Sequence, residues 1–123
     1  MNKQKKILFI DDEEITSKIG ELMLKDLGHD VTTTQSGQEG LKLLKIHDFD
    51  LLFLDLMMPE IYGLDILKKI RKDKKLKKLR VIIQTGVMNK EELEEAYRMG
   101  VIAIITKPYN KDFLKKILEE NIW

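Results

Sequence analysis

Asp11, Asp12, Asp55, Thr85 and Lys107 have side chains suited to chemistry, and each lies at or just past the end of a short apolar run. Asp11 and Asp12 follow Ile7-Leu8-Phe9-Ile10, with Glu13 and Glu14 behind them. Asp55 follows Leu51-Leu52-Phe53-Leu54, Thr85 closes the run that opens Val81-Ile82-Ile83, and Lys107 comes soon after Ile102-Ala103-Ile104-Ile105. Gathered in one crevice, these groups have a defined chemistry. Two carboxylates ~4 Å apart repel by about 4 kcal/mol at an effective dielectric near 20, so three do not all stay ionised unaided. A hard divalent cation relieves the repulsion, and an all-oxygen donor set favours Mg2+. An aspartate beside Mg2+ can accept a phosphoryl group as an acyl phosphate. The phosphoryl oxygens then need donors, for which Lys107 offers a point charge and Thr85 a hydroxyl.

The elements that must position these residues are legible as well. The four apolar runs are of strand length and do not alternate with polar residues, as in a parallel sheet covered on both faces. Val31-Thr32-Thr33-Thr34 is β-branched and polar on one side, which suits an edge strand. Helical patterns lie between the runs. Ile15, Ile19, Leu22, Met23 and Leu27 share a face, as do Leu64, Leu67 and Ile70, and Phe113, Leu114, Ile117 and Leu118. Ser36 with Glu39, and Asn89 with Glu92, read as capping boxes, and Asn110 as a further cap. The order is βα repeated five times, which implies one doubly wound α/β domain across residues 1–123 with right-handed crossovers. Sites in such sheets lie at the carboxyl ends of the strands, where the reactive residues stand.

Composition excludes several classes. A chain of 123 residues buries roughly two-thirds of its unfolded surface and folds without staples. It has no cysteine, hence no disulfide or thiolate metal site, which fits a reducing cytoplasm. No apolar run approaches the ~20 residues of a membrane span, and no signal peptide opens the chain. The net charge of +1 names no partner, but nine of the thirteen residues from Lys68 to Arg80 are basic, against Asp73 alone. That segment reads as a solvated helix end and loop rather than a nucleic-acid contact. Glu91, Glu92, Glu94 and Glu95 suit the positive end of a helix dipole. His29 and His47 read as surface residues, and Met57 and Met58 as packing residues.

Taken singly, Asp11-Asp12 is a helix cap, Thr85 a turn residue and Lys107-Pro108 a loop entry. Together, Asp11-Asp12, Asp55-Leu56-Met57-Met58-Pro59 with Gly63, Thr85-Gly86 and Lys107-Pro108 resemble the receiver domain of two-component response regulators, over essentially the whole chain. The resemblance implies a flavodoxin-like sheet of order 2-1-3-4-5, with Asp55 as phosphoacceptor. It implies that Asp11 and Asp12 are metal-site carboxylates, Asp12 the direct ligand, and that Met57 lends its backbone carbonyl to Mg2+. Thr85 is then the switch hydroxyl, Lys107 the phosphate-binding cation, and the Lys107–Pro108 bond cis. A histidine kinase or phosphotransfer protein would donate the phosphoryl group. A downstream protein target would read the fourth helix, fifth strand and fifth helix. The chain ends after the fifth helix, so the expectation is a stand-alone regulator or phosphorelay intermediate, with a receiver cut from a longer DNA-binding regulator second.

Four positions depart from that family's pattern. Ile104 stands where an aromatic is usual and cannot reproduce a ring rotation. Ile102 and Ala103 make the fifth strand unusually apolar, as at a partner or homodimer surface. Tyr62 stands before Gly63, where Asp or Asn is frequent. Met57 and Val87, two past the acceptor and two past the threonine, are apolar and orient no hydrolytic water, so a long phosphoryl lifetime is expected. A phosphatase of the haloacid dehalogenase type needs a second Asp two residues after the nucleophile, where Met57 stands. A flavodoxin needs a phosphate loop after the first strand, where there are acids. A degenerate receiver would lack site residues that are present here.

Overall fold

The computed structural model describes residues 4–58, 60–86 and 89–121. Five strands and five helices alternate: β1 Lys6–Ile10, α1 Glu14–Asp26, β2 Asp30–Thr34, α2 Gly37–Ile46, β3 Leu51–Asp55, α3 Gly63–Lys72, β4 Arg80–Thr85, α4 Lys90–Arg98, β5 Ala103–Thr106 and α5 Lys111–Asn121. The strands form one sheet of order β2-β1-β3-β4-β5. All four pairings are parallel.

Strand alternation divides the apolar runs between two cores. Leu8, Ile10, Leu52, Leu54 and Ile83 pack with Leu44 of α2, Leu64, Ile66, Leu67 and Ile70 of α3, and Ala96 of α4. Ile7, Phe9, Leu51, Phe53, Ile82 and Ile105 pack with Leu24 of α1 and with Leu114 and Leu118 of α5. The Phe9 and Phe53 rings stack with centroids 5.5 Å apart. Because both faces are covered, the runs need no polar alternation.

The α1 stripe is a correction to the sequence reading. Ile15, Ile19 and Leu22 are 76%, 50% and 55% exposed, whereas the buried positions of α1 are Ser17, Gly20 and Leu24. The cause is close packing at Gly20, where a Cβ would fall 2.4 Å from the Phe9 ring. Only a glycine lets the helix backbone reach that ring, so Gly20 faces the sheet with Leu24, while Met23 and Leu27 pack against the same core and Ile15, Ile19 and Leu22 face outward. Phe113 is likewise exposed, while Leu114 and Leu118 are buried.

Most caps form as expected. Asn89 accepts from the Glu92 N–H at 2.8 Å in a complete capping box. Ser36 accepts from the Glu39 N–H, and Asn110 from the Phe113 N–H. His29 is a second correction. It is buried, and its Nδ1 accepts from the Lys5 N–H at 3.0 Å; burial, then the charge of Lys5, holds its pKa below the usual value.

The basic segment is partly spent on the fold. Arg71 of α3 donates to the carbonyls of Met99 (2.6 Å), Leu79 (2.7 Å), Lys77 (3.2 Å) and Gly100 (3.3 Å). It thereby ties α3 to the lead-in of β4 and the end of α4. Lys68 pairs with Glu95 and Lys75 with Asp48. No helix among the described residues is long and apolar enough to cross a membrane.

Candidate functional site

The carboxyl ends of β1, β3, β4 and β5 deliver the side chains singled out in the sequence to one crevice. Asp11 leaves β1 fully buried and Asp55 ends β3 at 3% exposure. Asp12 is half-buried. One carboxylate oxygen from each of these three lies within 4.8 Å of the others. At that spacing each pair repels by about 3.5 kcal/mol at an effective dielectric near 20.

Lys107, two residues past the register partner of Gln84 in β5, reaches back over the crevice. Its Nζ donates to Asp55 Oδ2 at 3.0 Å, Asp11 Oδ2 at 3.2 Å and Glu13 Oε1 at 3.3 Å. The Lys107 N–H also bonds the Thr85 carbonyl at 2.9 Å, and the Lys107–Pro108 peptide is cis. Burial pulls the ammonium's pKa down, but the carboxylates of Asp55 and Asp11 outweigh it, and Lys107 is held firmly protonated. Asp55 is held above the usual carboxylate value. Burial raises it, and the bonds from Lys107 and the Met57 N–H offset only part of that effect.

Local backbone completes the arrangement. Asp55 Oδ1 accepts from the Met57 N–H at 3.1 Å, and Asp11 Oδ1 from the Glu13 N–H at 3.0 Å. Gly63 lies directly under the loop that follows β3, with its N–H on the Leu56 carbonyl at 3.0 Å. A Cβ there would meet the Asp55 carbonyl oxygen at 2.5 Å. Thr85 is buried at the tip of β4, next to Gln84, which pairs in register with Asp55. Met57 is half exposed at the mouth rather than packed, while Met58 is buried. Pro59 and Val87 lie outside the described residues.

The donor set fits a hard cation. Asp11, Asp12 and Asp55 carry three negative charges and Lys107 returns one positive, leaving the charge that a divalent ion neutralises. All the side-chain donors are oxygens, the preference of Mg2+ and Ca2+ over softer metals.

Two contributors were missed in the sequence. Glu13, read as lying behind the pair, is a third partner of Lys107. Gln84 is fully buried and bridges Asp11 and Tyr109. An amide closing the apolar run of β4 was the available signal. The apolar edge expected at β5 is smaller than it looked, because Ile102, Ala103 and Ile104 are half-buried against the two cores.

The fold is a doubly wound parallel sheet of order β2-β1-β3-β4-β5, with an acidic crevice and a bridging lysine at its carboxyl end. The chain belongs to the response regulator receiver domain family, which matches residues 7–119. It is 38% identical over 121 residues to the chemotaxis protein CheY-3 of Vibrio cholerae, spanning 98% of this chain and 93% of that protein. It is 36% identical over 107 residues to the cell cycle transcriptional regulator CtrA of Caulobacter vibrioides, 87% of this chain but 46% of that longer protein. Among solved structures, the chemotaxis protein CheY4 of Vibrio cholerae superposes with a TM-score of 0.89 at 26% identity, covering 97% of this chain and 99% of that one.

Proposed function

We propose that Asp55 is the phosphoacceptor of this receiver and that a phosphohistidine on a kinase or phosphotransfer protein is the donor. An Asp55 carboxylate oxygen attacks phosphorus; the new P–O bond forms as the P–N bond breaks, and the imidazole nitrogen leaves with the electron pair. Asp11, Asp12 and Asp55, with the Met57 carbonyl, would hold Mg2+. When bound, that ion supplies charge neutralisation for the incoming phosphoryl oxygens. Lys107 orients Asp55 before transfer and donates to a phosphoryl oxygen afterwards, and the Thr85 hydroxyl donates to another. The observation that carries this reading is the Lys107 ammonium shared between Asp55 and Asp11 at 3.0 and 3.2 Å.

The exposed stripe of Ile15, Ile19 and Leu22 supports a helical donor. It adjoins a groove of about 320 Å3 lined by Ile19, Met23, Lys107, Pro108 and Tyr109, so a histidine-bearing helix seated there would meet the site. The added charge would bias α4, β5 and α5, the surface a downstream protein would read. The apolar Met57 side chain orients no water, so self-dephosphorylation is slow; a half-life of seconds would sink that point.

The test is incubation with Mg2+ and acetyl phosphate followed by intact mass, with Asp55→Asn as control. A labile phosphoryl adduct on the wild type alone supports the reading. Steady release of phosphate with no adduct overturns it in favour of a phosphatase.

A further inference from the structure

Gln84 is a buried side-chain amide placed between the site and the turn that follows β5. Its Nε2 donates to Asp11 Oδ2 at 3.2 Å, and its Oε1 accepts from Tyr109 Oη at 2.6 Å. The direction of this chain is forced. A carboxylate only accepts, so the amide must turn its NH2 to Asp11 and its oxygen to Tyr109, and the phenol must donate. Burial, and then the negative charges of Asp11 and Asp55, push the Tyr109 hydroxyl's pKa up, which keeps it a donor. Asp11 is thereby held from every side: Oδ1 by the Glu13 N–H, Oδ2 by Lys107 and by Gln84.

We propose that Gln84 is a positioning residue for the Asp11 carboxylate and, through Tyr109, makes the β5–α5 turn respond to what that carboxylate binds. The proposal rests on the phosphoacceptor reading above. Gln84 lies on the α1 and α5 side of the sheet and passes beneath the β3 tip, where it pairs in register with Asp55. Its chain of bonds therefore runs from the end of β1 to the entry of α5 without using Ile104. When a cation or a phosphoryl group draws Lys107 off Asp11, Gln84 is the side-chain donor that remains on Oδ2. A movement of Asp11 is then passed to the Tyr109 hydroxyl.

Outer partners of metal-binding carboxylates typically change metal affinity about 10- to 100-fold when removed. Gln84→Met, which keeps the length and removes both polar atoms, is expected to weaken Mg2+ binding by about tenfold in calorimetry. Tyr109→Phe, which removes one hydroxyl, is expected to have a smaller effect and none in the Gln84→Met background. In amide NMR spectra, Mg2+ should shift Tyr109 and Lys111 in the wild type and leave them in place in either variant. Wild-type Mg2+ affinity in both variants, or additive effects, overturns the proposal. If Gln84→Met does not fold, Tyr109→Phe decides alone: wild-type affinity with unchanged Mg2+-induced shifts overturns, and reduced affinity with lost shifts supports. A wild type that binds no Mg2+ would instead remove the phosphoacceptor reading itself.

Discussion

Lys107→Met isolates the structural role of the ammonium. The wild-type Nζ stands 3.0 Å from Asp55 Oδ2 and 3.2 Å from Asp11 Oδ2, both on buried side chains. Each contact has a gross attraction of about 5 kcal/mol at an effective dielectric near 20. Desolvation of the charges cancels much of that, and removing one partner of a buried pair typically costs ~3–5 kcal/mol. The methionine keeps the stem and drops the charge, leaving two buried carboxylates facing each other. Against a total stability of about 5–15 kcal/mol, the loss is large. Urea unfolding at neutral pH in EDTA should show it. Saturating Mg2+ should then restore stability, and by more than in the wild type, because the ion no longer shares the crevice with an ammonium; a hundredfold excess over Kd contributes about 2.7 kcal/mol. Lowering the pH in EDTA should also restore part of the loss, since protonation removes the unpaired charge. A variant within about 1 kcal/mol of wild type in EDTA, or a Mg2+ increment no larger than wild type's, would refute the reasoning.

Gly63→Ala should cost about 1–3 kcal/mol and slow phosphorylation by acetyl phosphate about a hundredfold. The added Cβ meets backbone, the Asp55 carbonyl oxygen at 2.5 Å and the Leu56 Cα at 2.6 Å, so Asp55 itself must shift; thermal melts and intact mass would read the two effects. Arg71→Leu should destabilise by about 2–3 kcal/mol by stripping a charged donor from the carbonyls of Lys77, Leu79, Met99 and Gly100. It should leave the Mg2+ affinity in calorimetry unchanged, because Arg71 sits at the opposite end of the sheet. For Asp55 the folded pKa lies above 3.8, so the native state holds the proton more tightly than the unfolded chain. Its stabilising contribution is fully present below 3.8 and is lost as pH rises through the raised value. In EDTA, wild-type stability measured against Asp55→Asn should therefore fall over that window and then level off; a rise would show the sign to be wrong.

The fold was legible because burial on both faces leaves a compositional mark. Ile7–Ile10, Leu51–Leu54 and Val81–Ile83 are continuous apolar runs, and all of these residues are buried. Their carboxyl ends are also where an α/β sheet places its chemistry, so Asp11, Asp55, Thr85 and Lys107 could be read as a group before any distance was known. The misreadings share a different cause. Ile15, Ile19 and Leu22 have helical periodicity, but a period does not say which face turns inward. The deciding contact is between Gly20 and the Phe9 ring, far apart in sequence. His29 was read as exposed because its partner is a backbone N–H at Lys5, which carries no sequence mark. Arg71 was counted as one cation in a basic run, although its partners are four carbonyls.

Charge balance at the crevice connects these observations. On the proposed reading, the three carboxylates, Lys107 and a divalent ion together come to zero. Phosphorylation replaces the single charge of Asp55 with a largely dianionic phosphoryl group, so about one negative charge is left uncompensated. The nearest adjustable donor is Lys107, whose Nζ divides itself among Asp55, Asp11 and exposed Glu13. Turning toward phosphate, it loosens its hold on the carboxylates, among them Asp11, which is fully buried and cannot be left without donors at low cost. The Glu13 N–H and Gln84 are the donors that remain, and Gln84 is bonded in turn to Tyr109 at the entry to α5. On the proposed reading, a change of one charge at β3 thus reaches the β5 edge of the sheet through side chains whose polarity admits only one arrangement.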